Sequence, residues 1–239
     1  YLYNRNPDSA IETINRLEVI YNSHLTKLYA TDEWRNTTRE FLHEVFDSLR
    51  ALTRQPFGQV EEKILLAQGE IMSTHMMTNY LHEQGIPSVL LSALDFMRLA
   101  AGGEPDLAFI KEKLGELMKA QTDAPLYITQ GFICRNAYGE VDNLQRGGSD
   151  YTASLIGAAI EASEIQIWTD IDGMHNNDPR IVDTTTAVRH LHFDEAAELA
   201  YFGAKILHPT CIQPAKYANI PVRLLNTMEP QAPGTLIDN

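Results

Sequence analysis

Apolar positions recur at three- and four-residue steps through the first third of the chain. Beyond that they give way to short apolar runs that alternate with helical stretches. Ile11, Ile14, Leu17, Tyr21, Leu25 and Leu28 mark one face of a helix predicted over residues 7–30. Trp34, Phe41, Val45, Leu49 and Leu52 mark a second helix after Thr31-Asp32, broken by Pro56-Phe57-Gly58. A third spans 60–83 and stops at Gly85-Ile86-Pro87. The pattern then predicts strands over 88–91 and 126–129, the latter continuing into 132–134, then 165–169 and a closing strand at 220–225. Helices are predicted over 107–120, 154–162, 193–202 and 210–218. Strands alternating with helices imply an α/β fold whose mostly parallel sheet is covered on both faces. Ligands of such sheets sit outside the carboxyl ends of the strands. With no repeat, low-complexity tract or evident linker, one domain over residues 1–239 is the simpler reading.

Charge narrows the range of partners. The chain carries 32 acidic against 19 basic residues, a net charge of −13, which argues against nucleic acid or an anionic membrane as partner. If the ligands are anions, the basic residues must be concentrated locally, which makes Arg146, Arg180 and Lys205 stand out. No apolar run approaches the length of a membrane span, and no signal-peptide pattern opens the chain. Cys134 and Cys211 lack metal-ligand spacing, so buried thiols in a reducing cytoplasm are expected. The chain opens on Tyr-Leu-Tyr-Asn without an initiator Met, so it is expected to be a fragment.

Four strings carry candidate chemistry. Arg146-Gly147-Gly148-Ser149-Asp150 runs directly into an apolar helix pattern. Glycines let backbone N–H groups approach a ligand, the helix start favours an anion, and Arg146 offers a planar fork to a carboxylate or phosphate. Gly-Gly-Ser-Asp is equally a turn followed by an N-cap, with Ser149 or Asp150 as the capping side chain. Thr169-Asp170 closes a strand, where a carboxylate is placed to hold magnesium or a sugar hydroxyl, while Asp172 and Asp178 read as turn residues. Lys205 follows a helix, where a cation also complements the helix C-terminus, and His208 reads as a packed or hydrogen-bonded histidine. Glu70 lies among Leu65, Leu66, Ile71 and Met72, so it is read either as a solvated helix residue or as a carboxylate at a buried edge needing an ammonium partner.

Taken together with Gln130-Gly131-Phe132, Asp178-Pro179-Arg180, Phe202-Gly203-Ala204-Lys205 and Pro233-Gly234-Thr235, these strings resemble the catalytic domain of aspartokinases, in the amino-acid kinase superfamily. The resemblance runs in order through residues 60–237. It implies a three-layer αβα sandwich and MgATP-dependent phosphorylation of the β-carboxylate of L-aspartate, giving 4-phospho-L-aspartate. In metabolism this opens the route to lysine, threonine and methionine. Carried across, Arg146 holds the substrate α-carboxylate and Glu70 its ammonium group. Ser149 lies near the reacting β-carboxylate, Gly147 and Gly148 are substrate-binding residues beside it, and Phe132 packs beside the substrate. Asp150 orders the catalytic lysine Lys205. Thr169, Asp170, His175, Arg180, Lys205 and Ile206 line the ATP pocket, and Mg2+ accompanies the nucleotide rather than a dedicated protein site.

The resemblance further implies a homodimer, to whose interface Trp34 and Phe41 are candidate contributors as well as core candidates. The family's opening Lys-Phe-Gly-Gly-Thr-Ser phosphate loop is absent here, as are its C-terminal ACT domains. The chain is therefore expected to be an incomplete core, and these residues alone an impaired kinase. A homoserine dehydrogenase fusion is one form the complete polypeptide takes in this family. Gln145 and Cys134 stand where Gly is usual, and His175 where Tyr is common. The competing readings are another amino-acid kinase, acting on glutamate, acetylglutamate or a nucleoside monophosphate, and an inactive ligand-binding or dimerising fragment.

Overall fold

Three long helices occupy the first 83 residues, α1 (Pro7–Leu28), α2 (Asp32–Leu52) and α3 (Gln59–Glu83). The computed structural model describes residues 1–121, 124–145, 147–177, 181–182, 184–202 and 208–239. These fall into two units, Tyr1–Asp95 with Leu117–Asn143 and Phe96–Glu116 with Leu144–Asn239. Further elements are β1 (Val89–Leu91), α4 (Ala93–Phe96), α5 (Leu107–Ala120), β2 (Tyr127–Thr129), β3 (Ile133–Arg135) and β4 (Val141–Asn143). They continue with α6 (Gly148–Ile160), β5 (Ile165–Thr169), β6 (His190–His192), α7 (Phe193–Phe202), α8 (Gln213–Ala218), β7 (Val222–Asn226) and β8 (Thr235–Asp238).

In the first unit the helices start where side chains satisfy their free N–H groups. Asn6 accepts from Ser9 N at 3.1 Å to open α1, and Glu61 accepts from Gly58 N at 2.9 Å to open α3. The far end of α3 does the same for α2. Glu83 accepts from Thr31 Oγ1 at 2.7 Å, from Thr31 N at 2.8 Å and from Ala30 N at 3.1 Å, and those bonds, the hydroxyl's first, hold its carboxyl below the usual carboxylate range. The apolar stripes of the three helices bury Ile14, Leu25, Tyr29, Leu42, Phe46 and Met76 in one cluster. Trp34 and Phe41 pack against this cluster, and Phe41 stacks on His75 with ring centroids 3.7 Å apart. Both therefore serve the core. Two buried polar ties, Tyr29 Oη to Met76 O (2.8 Å) and Asn79 Nδ2 to Thr38 Oγ1 (2.9 Å), set the helix registers.

Parallel β1–β2 and an antiparallel β3–β4 hairpin complete this unit. The expected run from 126–129 into 132–134 is thus two strands in two sheets, separated by a turn at Phe132. The second unit holds a four-stranded sheet in the order β5-β7-β8-β6, with β5∥β7, β6∥β8 and β7 antiparallel to β8. Its core gathers Ile165, Phe193, Ile212, Val222, Leu224 and Ile237. The expected mixed α/β character holds. The sequence reading missed β4, β6 and β8, each three or four residues long. It also started α6 at residue 154, six residues after its true onset at Gly148. Among the described residues no helix is long and apolar enough to cross a membrane.

Candidate active site

The second unit supplies most of the expected site residues. Gly147 is the N-cap of α6 in the left-handed conformation, φ 73° and ψ 14°. A side chain here meets two obstacles beyond the backbone. A Cβ would lie 2.6 Å from Cys211 Sγ and 2.9 Å from His208 Cβ. Cys211 in turn donates its thiol to Gly147 O at 3.1 Å, clamping the turn from the loop before α8. Ser149 and Asp150 occupy the first turn of α6, and neither acts as a cap, because no side chain caps this helix. Gly148 N already donates to Gln145 O at 3.1 Å, while the start of α6 keeps the positive end of the helix dipole, which favours an anion. Ser149 is exposed and Gly148 buried.

Asp150 is half-buried, and burial pushes its carboxyl pKa up. Among the described residues no ion pair engages it, and a half-buried carboxylate favours a cation as neighbour. Arg146, Asp178, Arg180, Lys205 and Ile206 lie outside the described residues.

Thr169 ends β5 opposite Asn226 of β7. Its carbonyl accepts from Thr227 N at 2.8 Å, and its hydroxyl donates to Asp170 Oδ1 at 3.1 Å. Asp170 is exposed at the carboxyl end of the strand, as expected for a ligand-facing group in such a sheet. His175 behaves differently. Its Nε2 lies 2.7 Å from Asp172 Oδ1 and its Nδ1 2.9 Å from Thr185 Oγ1, with the side chain 13% exposed. Both ring nitrogens are engaged within the protein. Asp172, read from sequence as a turn residue, is the centre of this arrangement. Arg189 reaches its Oδ2 at 3.1 Å and its carbonyl at 3.0 Å, and the His175 hydrogen bond and Arg189 hold its carboxyl below the usual range. Seventeen residues separate Asp172 from Arg189, and no sequence signal joins them. His208 is exposed and bonded to Thr210 Oγ1 at 2.7 Å, as expected of a hydrogen-bonded histidine.

The first unit carries Glu70 and Phe132. Glu70 lies half-buried in the middle of α3, and its carbonyl accepts from Thr74 Oγ1 at 2.8 Å. Phe132 has φ 70°, uncommon for a bulky residue, and Ile133 N donates across it to Gly131 O at 2.8 Å. That is a γ-turn of the positive-φ kind, the rarer and more strained form. Strain of this sort persists only where the surroundings enforce it, and it concentrates at ligand sites.

The chain matches the amino acid kinase family over residues 18–226, a span that draws on both units. Lysine-sensitive aspartokinase 3 of Escherichia coli K12 is 33% identical over 95% of this chain and 52% of its own length. Chloroplastic aspartokinase 1 of Arabidopsis thaliana is 38% identical over 94% of this chain and 41% of its own. The crystal structure of E. coli aspartokinase III in complex with aspartate and ADP aligns with a TM-score of 0.88 at 32% identity, covering 98% of this chain and 53% of that one. The chain thus spans about half the length of the curated relatives it matches. With the family match extending through the helix start at Gly147, the strand end at Thr169 and the strained turn at Phe132, this chain is a member of the amino acid kinase family.

Proposed function

We propose that this chain is the catalytic portion of an aspartate kinase, residues 1–239 belonging to its amino-acid kinase domain. The reaction is transfer of a phosphoryl group from MgATP to the β-carboxylate of L-aspartate, giving 4-phospho-L-aspartate. The observation that carries this reading is the near-complete alignment onto an aspartokinase whose structure holds aspartate and ADP.

The chemistry suits the residues. An aspartate carboxylate is ionised at neutral pH, so no general base is required. Rate enhancement comes from in-line positioning and from compensating charge on the transferring group. The α6 N-terminus, with Gly147, Gly148 and Ser149, receives the acceptor carboxylate. Arg146 takes the α-carboxylate, Glu70 the ammonium group and Phe132 the side of the substrate. Asp150, half-buried beside this helix start, orders Lys205. Thr169 and Asp170 contact the nucleotide with Arg180, Lys205 and Ile206. His175, its ring engaged on both sides, serves the nucleotide by fixing the backbone of the 171–175 loop. Mg2+ arrives on the nucleotide phosphates, the usual way that ion is held.

Two free buried thiols, Cys134 and Cys211, support placement in a reducing compartment, the cytoplasm. We also read the protein as a homodimer, which sedimentation at several concentrations tests.

The decisive experiment is formation of aspartyl hydroxamate from L-aspartate, MgATP and hydroxylamine by the intact gene product. Aspartate-dependent product is expected, and Arg146→Ala should abolish aspartate binding while ATP binding persists. Unchanged aspartate affinity in that variant would overturn the role given to Arg146.

A further inference from the structure

Gln130, the first residue past β2, is only 3% exposed, and both ends of its amide are committed. Its Oε1 accepts from Ala93 N at 2.8 Å, and its Nε2 donates to Thr74 Oγ1 at 2.8 Å. The orientation admits no flip, because a backbone N–H can only face the oxygen. Thr74 must therefore accept from Gln130, which leaves its own proton to donate to Glu70 O at 2.8 Å, with Ile71 O a longer second acceptor at 3.3 Å. The hydrogen-bond chain runs in one direction, from Gln130 through Thr74 to the peptide of Glu70. At its other end, Gln130 immediately precedes the γ-turn that holds Phe132 at φ 70°.

We infer that Gln130 and Thr74 are a positioning pair that sets Glu70 and Phe132 for the amino-acid substrate. This rests on the aspartate kinase reading above. The buried amide fixes the turn of α3 that carries the ammonium-binding carboxylate, and it anchors the strained turn that carries the substrate-packing ring. A buried amide filling space alone would need neither the directional chain nor the strained neighbour.

Steady-state kinetics of the intact gene product test this, with L-aspartate and MgATP varied independently. Gln130→Glu keeps the shape but reverses the polarity at Thr74, drawing its hydroxyl away from Glu70 O. Thr74→Val keeps the shape and removes the donor, and Thr74→Ser restores it. Gln130→Glu and Thr74→Val should each raise KM for aspartate about tenfold, with KM for ATP within about twofold of wild type. Thr74→Ser should behave as wild type, and the double variant should be no worse than the worse single, since both cut one chain. Where Gln130→Glu fails to fold, the Thr74 pair decides at its half-buried position. An unchanged KM for aspartate in folded Thr74→Val, with only thermal stability lowered, would overturn the positioning role. A wild-type protein without aspartate-dependent turnover would instead overturn the kinase reading, and this inference with it.

Discussion

A Cβ placed on Gly234 would stand 2.0 Å from the carbonyl oxygen of Leu224. Gly234 also has φ 64°, so any other residue there faces both a backbone clash and left-handed strain. The next residue, Thr235, is fully buried, accepts from Met174 N at 2.8 Å and donates to Val188 O. Gly234→Ala should therefore destabilise the protein by about 3 kcal/mol, the sum of overpacking and strain. Urea unfolding of the two proteins measures it, and a loss under about 1 kcal/mol would mean the β7–β8 junction yields easily.

Gly147 and Cys211 make a second steric prediction. Gly147→Ala should lower stability and activity together, because the added methyl collides with the sulfur of Cys211. Removing that sulfur should recover part of the loss. The stability of Gly147→Ala/Cys211→Ala should exceed the additive expectation from the singles, while the φ of 73° and the 2.9 Å approach to His208 keep recovery incomplete. Strict additivity in urea melts would show that the collision is relieved another way.

The Asp172 arrangement gives stability a pH dependence. Its carboxyl is held below the ordinary range, first by the His175 hydrogen bond and also by Arg189. A carboxylate with a lowered folded pKa contributes fully above its unfolded value, about 4, and loses that contribution as pH falls through the folded value. The urea midpoint should thus drop between about pH 5 and pH 3, and Asp172→Asn should flatten that slope. Parallel slopes for the two proteins would remove Asp172 as a source of acid sensitivity.

Both cysteines should be silent toward thiol reagents in the native protein. Burial pushes Cys134 up to about 12 and Cys211 up to about 11, so almost no thiolate forms at pH 8. A disulfide-exchange reagent should titrate none in buffer and two in denaturant. Rapid reaction of one native thiol would show that the Gly147–Cys211 clamp opens.

How much was legible follows from the physical signals involved. Helices α1 to α3 announced themselves because a stripe such as Ile14, Tyr21, Leu25 and Leu28 repeats often enough to be read. β4 and β8 are too short for period-two alternation, and Val141-Asp142-Asn143 resembles a turn. The onset of α6 was hidden because Gly148, Ser149 and Asp150 are poor interior helix residues, although Ser and Asp suit a first turn. Glu70 and the Gly147–Asp150 string stand as candidates on local chemistry and resemblance. The Asp172–Arg189 pair, the Gln130–Thr74 link and the positive φ of Phe132 are products of tertiary packing, and no local residue pattern carries them.

The polypeptide passes between its two units at residues 95–96, 116–117 and 143–144. No single cut can separate the two units cleanly, since each is assembled from two separate stretches of chain. During synthesis, the first unit has all its residues once Asn143 has emerged. The stretch from Phe96 to Glu116 then belongs to a unit whose remaining residues, Leu144–Asn239, are still to be made. Phe96, Met97, Ile110 and Leu114, fully or nearly fully buried in the finished fold, are thus apolar side chains that emerge well before the rest of their unit.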